Sequence, residues 1–377
     1  MNDGEMVAKS IRSGEWIEVV WRNGKITELA PTTERPGEGV WMAPPLVDLQ
    51  INGYGGVDFQ SERLTSEDLL SAVRGLRSAG CTRFLLTLVT DEWSRLVSRL
   101  QHLHRMREAS AELRAAISGW HIEGPFLSAQ PGFHGAHNPT LMRDPSAALI
   151  SELREAVPGD PLMITLAPER EGSLEAIRKA VSLGIRVSLG HTDVSADRLL
   201  EAVRAGASDF THLGNGCPQT LDRHDNIFWR VLNQPGLRVG LIPDGIHVSP
   251  GFFKIVHRVV PAGNIVYVSD AMSAAGAPPG RYRLGAMELE VGEDQIVRKP
   301  GSALFAGSAL RPVDGVFRAA RMLEGRWQDA WLRFSDIPAT LMGLEVGLRI
   351  GAPADFCLVT TTATNELESL RTVVDGN

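Results

Sequence analysis

From Pro44 onward, short apolar runs rich in β-branched residues alternate with longer amphipathic runs, and eight such pairs can be counted. The apolar runs at 43–52, 81–90, 115–123, 161–169, 185–191, 207–213, 237–243 and 264–270 read as strands. Strands separated by helical patterns make the βα units of a parallel sheet. Among the intervening patterns, Ser66–Ala79 places Leu69, Leu70, Val73 and Leu76 on one helical face, and Ser195–Ala205 opens with a capping serine. Eight units predict an α/β fold of the (β/α)8 TIM-barrel type. An open doubly wound sheet would want a glycine-rich phosphate turn after an early strand. The stretch "NGYGG" at 52–56 lacks the GxGxxG spacing and reads as a simple turn.

The two ends follow a different pattern. Residues 15–30 read as a β-hairpin turning at Asn23-Gly24, and residues 348–360 as a further strand pair. Segments so far apart in sequence can pair into one small sheet or sandwich that ties down both termini. The expected organisation is a barrel over 43–345, with a β-hairpin inserted at about 281–301, and a small β-sandwich-like domain assembled from 1–42 and 346–377.

Composition narrows the class. With 377 residues, 43% of them hydrophobic and 22% charged, the chain has material for a large core and too little charge for disorder. A net charge of −7 without a basic stripe argues against nucleic acid or an anionic membrane as partner. The first 30 residues interleave charged and apolar positions, which predicts no signal peptide, and no run reaches the length of a membrane span. Cys81, Cys217 and Cys357 are odd in number and far apart, the usage of a reducing compartment, so a cytoplasmic location is expected. Cys217, beside a candidate ligand loop, reads as a tolerated thiol.

In a barrel of this type the active site forms at the C-terminal ends of the strands, and polar residues collect there. The first strand ends in Gln50-x-Asn52, the third in His121 and Glu123, and the fifth in His191. The sixth ends in His212 and Asn215, the seventh in Asp244 and His247, the eighth in Asp270. A single strand-end histidine is more often a hydrogen-bonded structural residue, and a carboxylate before Gly-Pro more often a surface ion pair. Glu123, His191, His212, His247 and Asp270 on one face of one barrel are not independent accidents. Glu123, His191 and His212 supply one carboxylate and two imidazoles, a set suited to Zn²⁺ or another divalent first-row ion with a position left for water. His102, His104 and His257 fall in helical patterns and read as solvated structural residues.

The ordered series "VDLQINGYGGVDF", "HIEGPF", "GAHNP", "GHTD", "THLGN", "DGIHV", "VSDAM" and "AGSAL" resembles the N-acetylglucosamine-6-phosphate deacetylase family of the amidohydrolase superfamily, over nearly the whole chain. The resemblance implies hydrolysis of the acetyl group of an amino-sugar phosphate. It also implies one divalent ion per subunit, Zn²⁺ first with Fe²⁺, Mn²⁺ or Co²⁺ as other candidates, and a homodimer with the site near the interface. Carried over by position, it makes Glu123, His191 and His212 the ligands, Asp270 the general base and acid, and His247 a contact near the scissile carbonyl. It places the phosphate on Asn215, the amide of Gly216 and Arg223, and adds His137 of "GAHNP" as a substrate contact.

Three departures from the family pattern surround the sugar phosphate. "THLGNGCP" lacks a bulky side chain and a methionine usual in that loop, "DRHDN" lacks the usual Glu-Pro-Gly after the arginine, and Phe133-His134 stand where a basic residue is common. None touches the ligand set or Asp270. They leave deacetylation in place and open the choice of sugar, with a galactosamine-type or unphosphorylated N-acetyl sugar as the alternative. Cyclic-amide hydrolases of the superfamily use two ions bridged by a carboxylated lysine on the fourth strand, and "PLMITLAPER" has no lysine. A non-catalytic sugar-phosphate binder would have little reason to keep both the ligand set and Asp270. Gln50 and Asn52 occupy the place of a His-x-His pair; neutral amides are weak ligands, so a single-ion site is expected, with both amides hydrogen-bonding Asp270 or water.

Overall fold

The computed structural model describes residues 2–36, 39–301 and 305–377, so the expected segments 1–42 and 43–345 each include positions outside the described residues. Eight parallel strands, Leu46–Ile51, Cys81–Val89, Ile117–Glu123, Leu162–Leu166, Arg186–Leu189, Asp209–Phe210, Arg238–Leu241 and Ile265–Tyr267, lie side by side in chain order. The eighth meets the first just past their ends: Ile51 bridges Ala271, and the Asn52 amide donates to the Ala271 carbonyl at 2.7 Å. The sheet thereby closes into the barrel that eight βα units predict.

The two helices read from the sequence form for the reasons given there. Thr65 caps Ser66–Ser78 in a capping box with Asp68, and Leu69, Ala72, Val73 and Leu76 are buried while Leu70 is only half-buried. Ser195 caps Ala196–Ala205, and Gly206 ends it at φ 116°. "NGYGG" is a turn, with Gly55 and Gly56 at φ 60° and 89°.

Every barrel strand is shorter than its apolar run. The runs at 185–191, 207–213 and 264–270 overshoot because His191, His212 and Asp270 adopt φ of 52°, 25° and 51°. Left-handed backbone cannot continue an extended strand, and for residues other than glycine it persists only where the surroundings hold it. The run at 115–123 starts early for another reason: its first two residues finish the helix Ala111–Ala116.

The termini supply Gly4–Ser10, Trp16–Arg22, Lys25–Pro31, Trp41–Ala43, Phe356–Thr361 and Leu367–Val373 to one six-stranded sheet. Asn23 and Gly24, at φ 50° and 72°, turn the expected hairpin. The sheet curls over its own core, so that Trp21 and Phe356, which stand three strands apart, meet edge to face at 5.5 Å between ring centroids. The strand pair expected within 348–360 is instead the single strand Phe356–Thr361, whose hairpin partner is Leu367–Val373. Gly351 at φ 86° and Pro353 keep the preceding segment irregular. The inserted hairpin has a third strand: Gly280–Leu284, Met287–Val291 and Val297–Arg298 pair antiparallel.

The most buried of the ion pairs between the barrel and this terminal sheet, among the described residues, joins Arg83 and Asp355. Arg83, on the second barrel strand, comes within 2.8 Å of Asp355, with side-chain exposures of 10% and 1%. The contact is short but not aligned as a hydrogen bond; the carboxylate also accepts from the Asp375 amide at 2.9 Å. Burial pushes Asp355 up, against the pull of Arg83. Removing one partner of a buried pair leaves the other uncompensated, so Arg83→Met is expected to lower the unfolding free energy by about 3–5 kcal/mol in denaturant titration. Adding Asp355→Leu should recover most of that loss. A double variant as unstable as the single one would refute the pairing.

Candidate metal centre and active site

Glu123 is the last residue of the third strand, and His191 and His212 each stand two residues beyond the fifth and sixth strands. All three are buried, and one atom of each meets the others. Glu123 Oε1 lies 2.9 Å from His212 Nε2 and 3.4 Å from His191 Nε2, and the two ring nitrogens are 3.2 Å apart. A tetrahedral Zn²⁺ with bonds of about 2.0–2.1 Å spaces its ligands about 3.4 Å apart, so the three atoms already stand near the separation an ion would impose. His191 Nδ1 donates to the Phe133 carbonyl at 2.8 Å, which leaves the lone pair on Nε2. Burial opposes charge on Glu123, yet the neighbouring His191 and His212 imidazoles hold its carboxyl well below the usual range. Against its own burial, His212 is pushed up by that same carboxylate. The cluster's own electrostatics therefore favour added positive charge.

His121, on the same strand as Glu123, is turned away from this centre. Its Nδ1 donates to the Leu49 carbonyl at 3.1 Å and its Nε2 meets the Thr165 hydroxyl at 2.8 Å, while burial lowers it to about 4. It is a neutral structural residue.

Gln50 and Asn52 face Asp270. The Thr211 hydroxyl donates to Gln50 Oε1 at 2.9 Å, which orients the amide so that Nε2 donates to Glu123 Oε1 at 3.0 Å and to Asp270 Oδ1 at 3.1 Å. Asn52 Nδ2 donates to the same Asp270 oxygen at 2.8 Å. The place of a His-x-His pair thus presents N–H groups. Burial first, then the Glu123 charge, push Asp270 to about 7, while His212 and His247 act the other way. A carboxyl poised near neutrality can both take and return a proton.

His247 Nδ1 donates to Asp244 Oδ2 at 2.6 Å, and Asp244 Oδ1 accepts the amides of Ile246 and His247, each at 2.8 Å. Asp244, picked out in the sequence only by position, is what fixes that ring. His137 Nε2 lies 3.8 Å from Glu123 Oε2, and its Nδ1 shares a hydrogen with the Thr90 hydroxyl at 2.8 Å. Burial, then the neighbouring His191, lower it to about 3. The three ligand residues, Asn52, His137, His247 and Asp270 line a cavity of about 400 Å³ together with Asn215, Gly216, Cys217 and Phe305. A wider cleft of about 990 Å³, with Arg63, Arg95 and Lys299 on its walls, opens beside it and shares His137. Gly216 has φ 62°, and a Cβ there would come within 2.8 Å of His191 Nδ1, so the loop can pack over that ring only with glycine. Burial pushes the Cys217 thiol to about 11, which leaves it uncharged and unsuited to act as a nucleophile.

Of the candidates, only Arg223 stands apart within one chain. It is exposed and is not among the walls of the cavity. Nor does it pair with the adjacent carboxylates: Asp222 accepts the amides of His224 and Asp225, and Asp225 binds Arg230 at 2.7 Å. Two of the helical histidines are less solvated than expected. His104 bonds Asp160 at 3.1 Å, and His257 bonds the Phe253 carbonyl and Tyr267 hydroxyl at 2.8 and 2.7 Å, because each faces a neighbouring element rather than water. His102 is exposed.

No protein-family model matches the sequence. The chain is similar to the N-acetylglucosamine-6-phosphate deacetylase of Danio rerio, 33% identical over 84% of this chain and 80% of that one. It is also similar to the enzyme of the same name from Bacillus subtilis, 28% identical over 94% and 90%. The crystal structure of N-acetyl-D-glucosamine-6-phosphate deacetylase from Mycobacterium smegmatis superposes with a TM-score of 0.87 at 27% identity, covering 99% of each chain. With this likeness over most of its length, on an amidohydrolase barrel, the chain belongs to the N-acetylglucosamine-6-phosphate deacetylase family.

Proposed function

We propose that the protein hydrolyses N-acetylglucosamine 6-phosphate to glucosamine 6-phosphate and acetate, a step of amino-sugar catabolism. We further propose that it works in the cytoplasm as a homodimer with one divalent ion, Zn²⁺ first, in each subunit. The observation that carries the reading is the convergence of Glu123 Oε1, His191 Nε2 and His212 Nε2 on one point, opposite a carboxylate, Asp270, held by two amide donors.

Glu123, His191 and His212 would hold the ion, which when bound lowers the pKa of water and polarises a carbonyl oxygen. Asp270 takes the proton from the attacking water and returns it to the amine as the carbon–nitrogen bond breaks. Gln50 and Asn52 occupy Oδ1 of Asp270, which leaves Oδ2 to carry that proton. His247, kept in place by Asp244, stands beside the acetamide oxygen where negative charge builds. The Gln50 Nε2 hydrogens lie where a second ion would need lone pairs, which supports a single ion.

A variant of the M. smegmatis enzyme has been solved in complex with N-acetyl-D-glucosamine-6-phosphate, which supports that sugar. Arg223 sits beside Trp229, whose indole donates to the Arg223 carbonyl at 3.2 Å. Trp229, Ile255 and Val259 are 49%, 44% and 53% exposed along one shallow groove. We read this apolar face as the dimer surface, from which Arg223 reaches the phosphate bound in the other subunit. The exposure of Arg223 equally favours a second reading, an unphosphorylated or galactosamine-type N-acetyl sugar.

Asp270→Asn, loaded with metal, should lose on the order of 10²–10⁴-fold in kcat; near-normal turnover would remove Asp270 from the mechanism. Chelation should abolish acetate release and Zn²⁺ should restore it, whereas activity that persists in metal-free protein would dismiss the ion. A panel of N-acetylglucosamine and N-acetylgalactosamine, each with and without 6-phosphate, decides the sugar. Arg223→Ala should weaken turnover of phosphorylated substrates alone, by on the order of tenfold or more for a lost charge-assisted contact. Trp229→Glu should yield monomers in sedimentation and reproduce that selective loss. Equal losses on both classes of substrate would exclude a phosphate role for Arg223.

A further inference from the structure

The motif "AGSAL" and the buried carboxylate of Asp48 take no part in the chemistry above, yet both close around the turn that carries Asp270. That turn is left-handed at Asp270, φ 51°, a conformation that needs outside support. The Ser269 amide donates to Asp48 Oδ2 at 3.0 Å and Oδ1 at 3.3 Å. The Ser269 carbonyl accepts from Ser308 Oγ at 2.6 Å, and the Asp270 carbonyl accepts from the Ser308 amide at 2.8 Å. Ser308 in turn accepts from the Met272 amide at 3.0 Å through its carbonyl and from the Leu310 amide at 3.0 Å through Oγ. Gly307, just before it, approaches so closely that a Cβ would lie 3.2 Å from the Asp270 carbonyl oxygen. Asp48 also accepts the Gln50 amide at 3.1 Å, so one carboxylate fixes both the Ser269 peptide and the residue whose side chain bonds Asp270.

The seven other strand contacts of the barrel are made by backbone ladders. At the seam between the eighth and first strands, which the Ile51–Ala271 bridge closes, two side chains, Asp48 at 0% and Ser308 at 1% exposure, also hold the peptides on either side of Ser269, the residue before Asp270. A fully buried carboxylate is costly and would be an unfavourable way to join two strands for stability alone. We propose that Asp48 and Ser308 are positioning residues for Asp270, Ser308 clamping its backbone and Asp48 the amide of Ser269 just before it, while Gln50 and Asn52 clamp its carboxylate. The proposal rests on Asp270 being the proton-transferring group.

A misplacement of order 1 Å can cost on the order of 10²-fold in rate. Ser308→Ala and Asp48→Asn, loaded with Zn²⁺ to the wild-type stoichiometry, should therefore lose about tenfold to a hundredfold in kcat with KM within about threefold. The control is Ser335→Ala, which removes a comparably buried hydroxyl bonded to the Trp331 carbonyl at 3.0 Å, away from the site. It should lose a similar amount of Tm and keep wild-type kcat. Ser308→Thr, which retains the hydroxyl, should return most of the rate. If Ser308→Ala does not fold, Ser308→Cys, of nearly the same shape and a weaker donor, should show the same split between kcat and KM. The proposal is overturned if Ser308→Ala, or Ser308→Cys in its place, and Asp48→Asn match Ser335→Ala in kcat, or if their losses follow lost metal. Asp270→Asn with near-normal turnover would overturn the underlying reading of the base, and a dead Asp270→Asn beside fully active clamp variants would overturn the clamp alone.

Discussion

Two carboxylates, Glu123 and Asp270, are buried within hydrogen-bonding reach of one nitrogen, Gln50 Nε2. Each buried charge left uncompensated would cost several kcal/mol, and two of like sign cost more together. The surrounding structure answers that cost differently at each end. Glu123 is surrounded by imidazoles and stays ionised, whereas Asp270 receives only neutral amides at short range and is driven toward protonation by burial and by Glu123. The same asymmetry that makes the pair tolerable divides their chemistry, one acceptor for a cation and one carrier for a proton.

Bringing these groups to one centre sets the backbone. Their side chains come from the first, third, fifth, sixth and eighth strands, and extended strands alone cannot aim all of them inward. His191, His212 and Asp270 leave the extended region for positive φ, and each is then caught from outside its own strand. The Phe133 carbonyl holds the His191 ring, Glu123 holds His212, and the Ser308 amide with the Gln50 and Asn52 side chains holds Asp270. Strain at the site is thus coupled to the loops that cover it.

The barrel and the converging residues were legible in the sequence because both depend on features that survive without coordinates: apolar runs at regular spacing, and chemically rare residue types at their ends. Strand limits were not legible. Apolar composition runs on through Gly190 and Thr211, while the left-handed residues that stop the strands carry no compositional mark. Phe133 was invisible for a related reason, since it acts through a carbonyl that every residue possesses. Asp244 and Ser308 lay inside recognised motifs, but their partners are set by tertiary contact, from which a motif alone assigns no role. The place of Arg223 depends on the loop path after His212, and no local pattern specifies it.

The sugar-side loop cannot vary independently of the metal side. Gly216, at φ 62°, lies over His191, and any side chain there would press on that ring, while a Cβ at Gly214, φ 110°, would meet Val248. A chain that alters its sugar preference in "THLGNGCP" must therefore do so with small residues there, or by changes elsewhere on the cavity wall. The inserted strands supply such a wall: Leu284 and Met287 line the cavity, as does Phe305, which packs its ring 5.2 Å from His247, and none of the three contacts Glu123, His191 or His212 by a hydrogen bond. Discrimination among N-acetyl sugars can change there without disturbing the ligand set, whereas two of the three departures expected to spare that set do reach it, Phe133 through its carbonyl and Gly216 against the His191 ring.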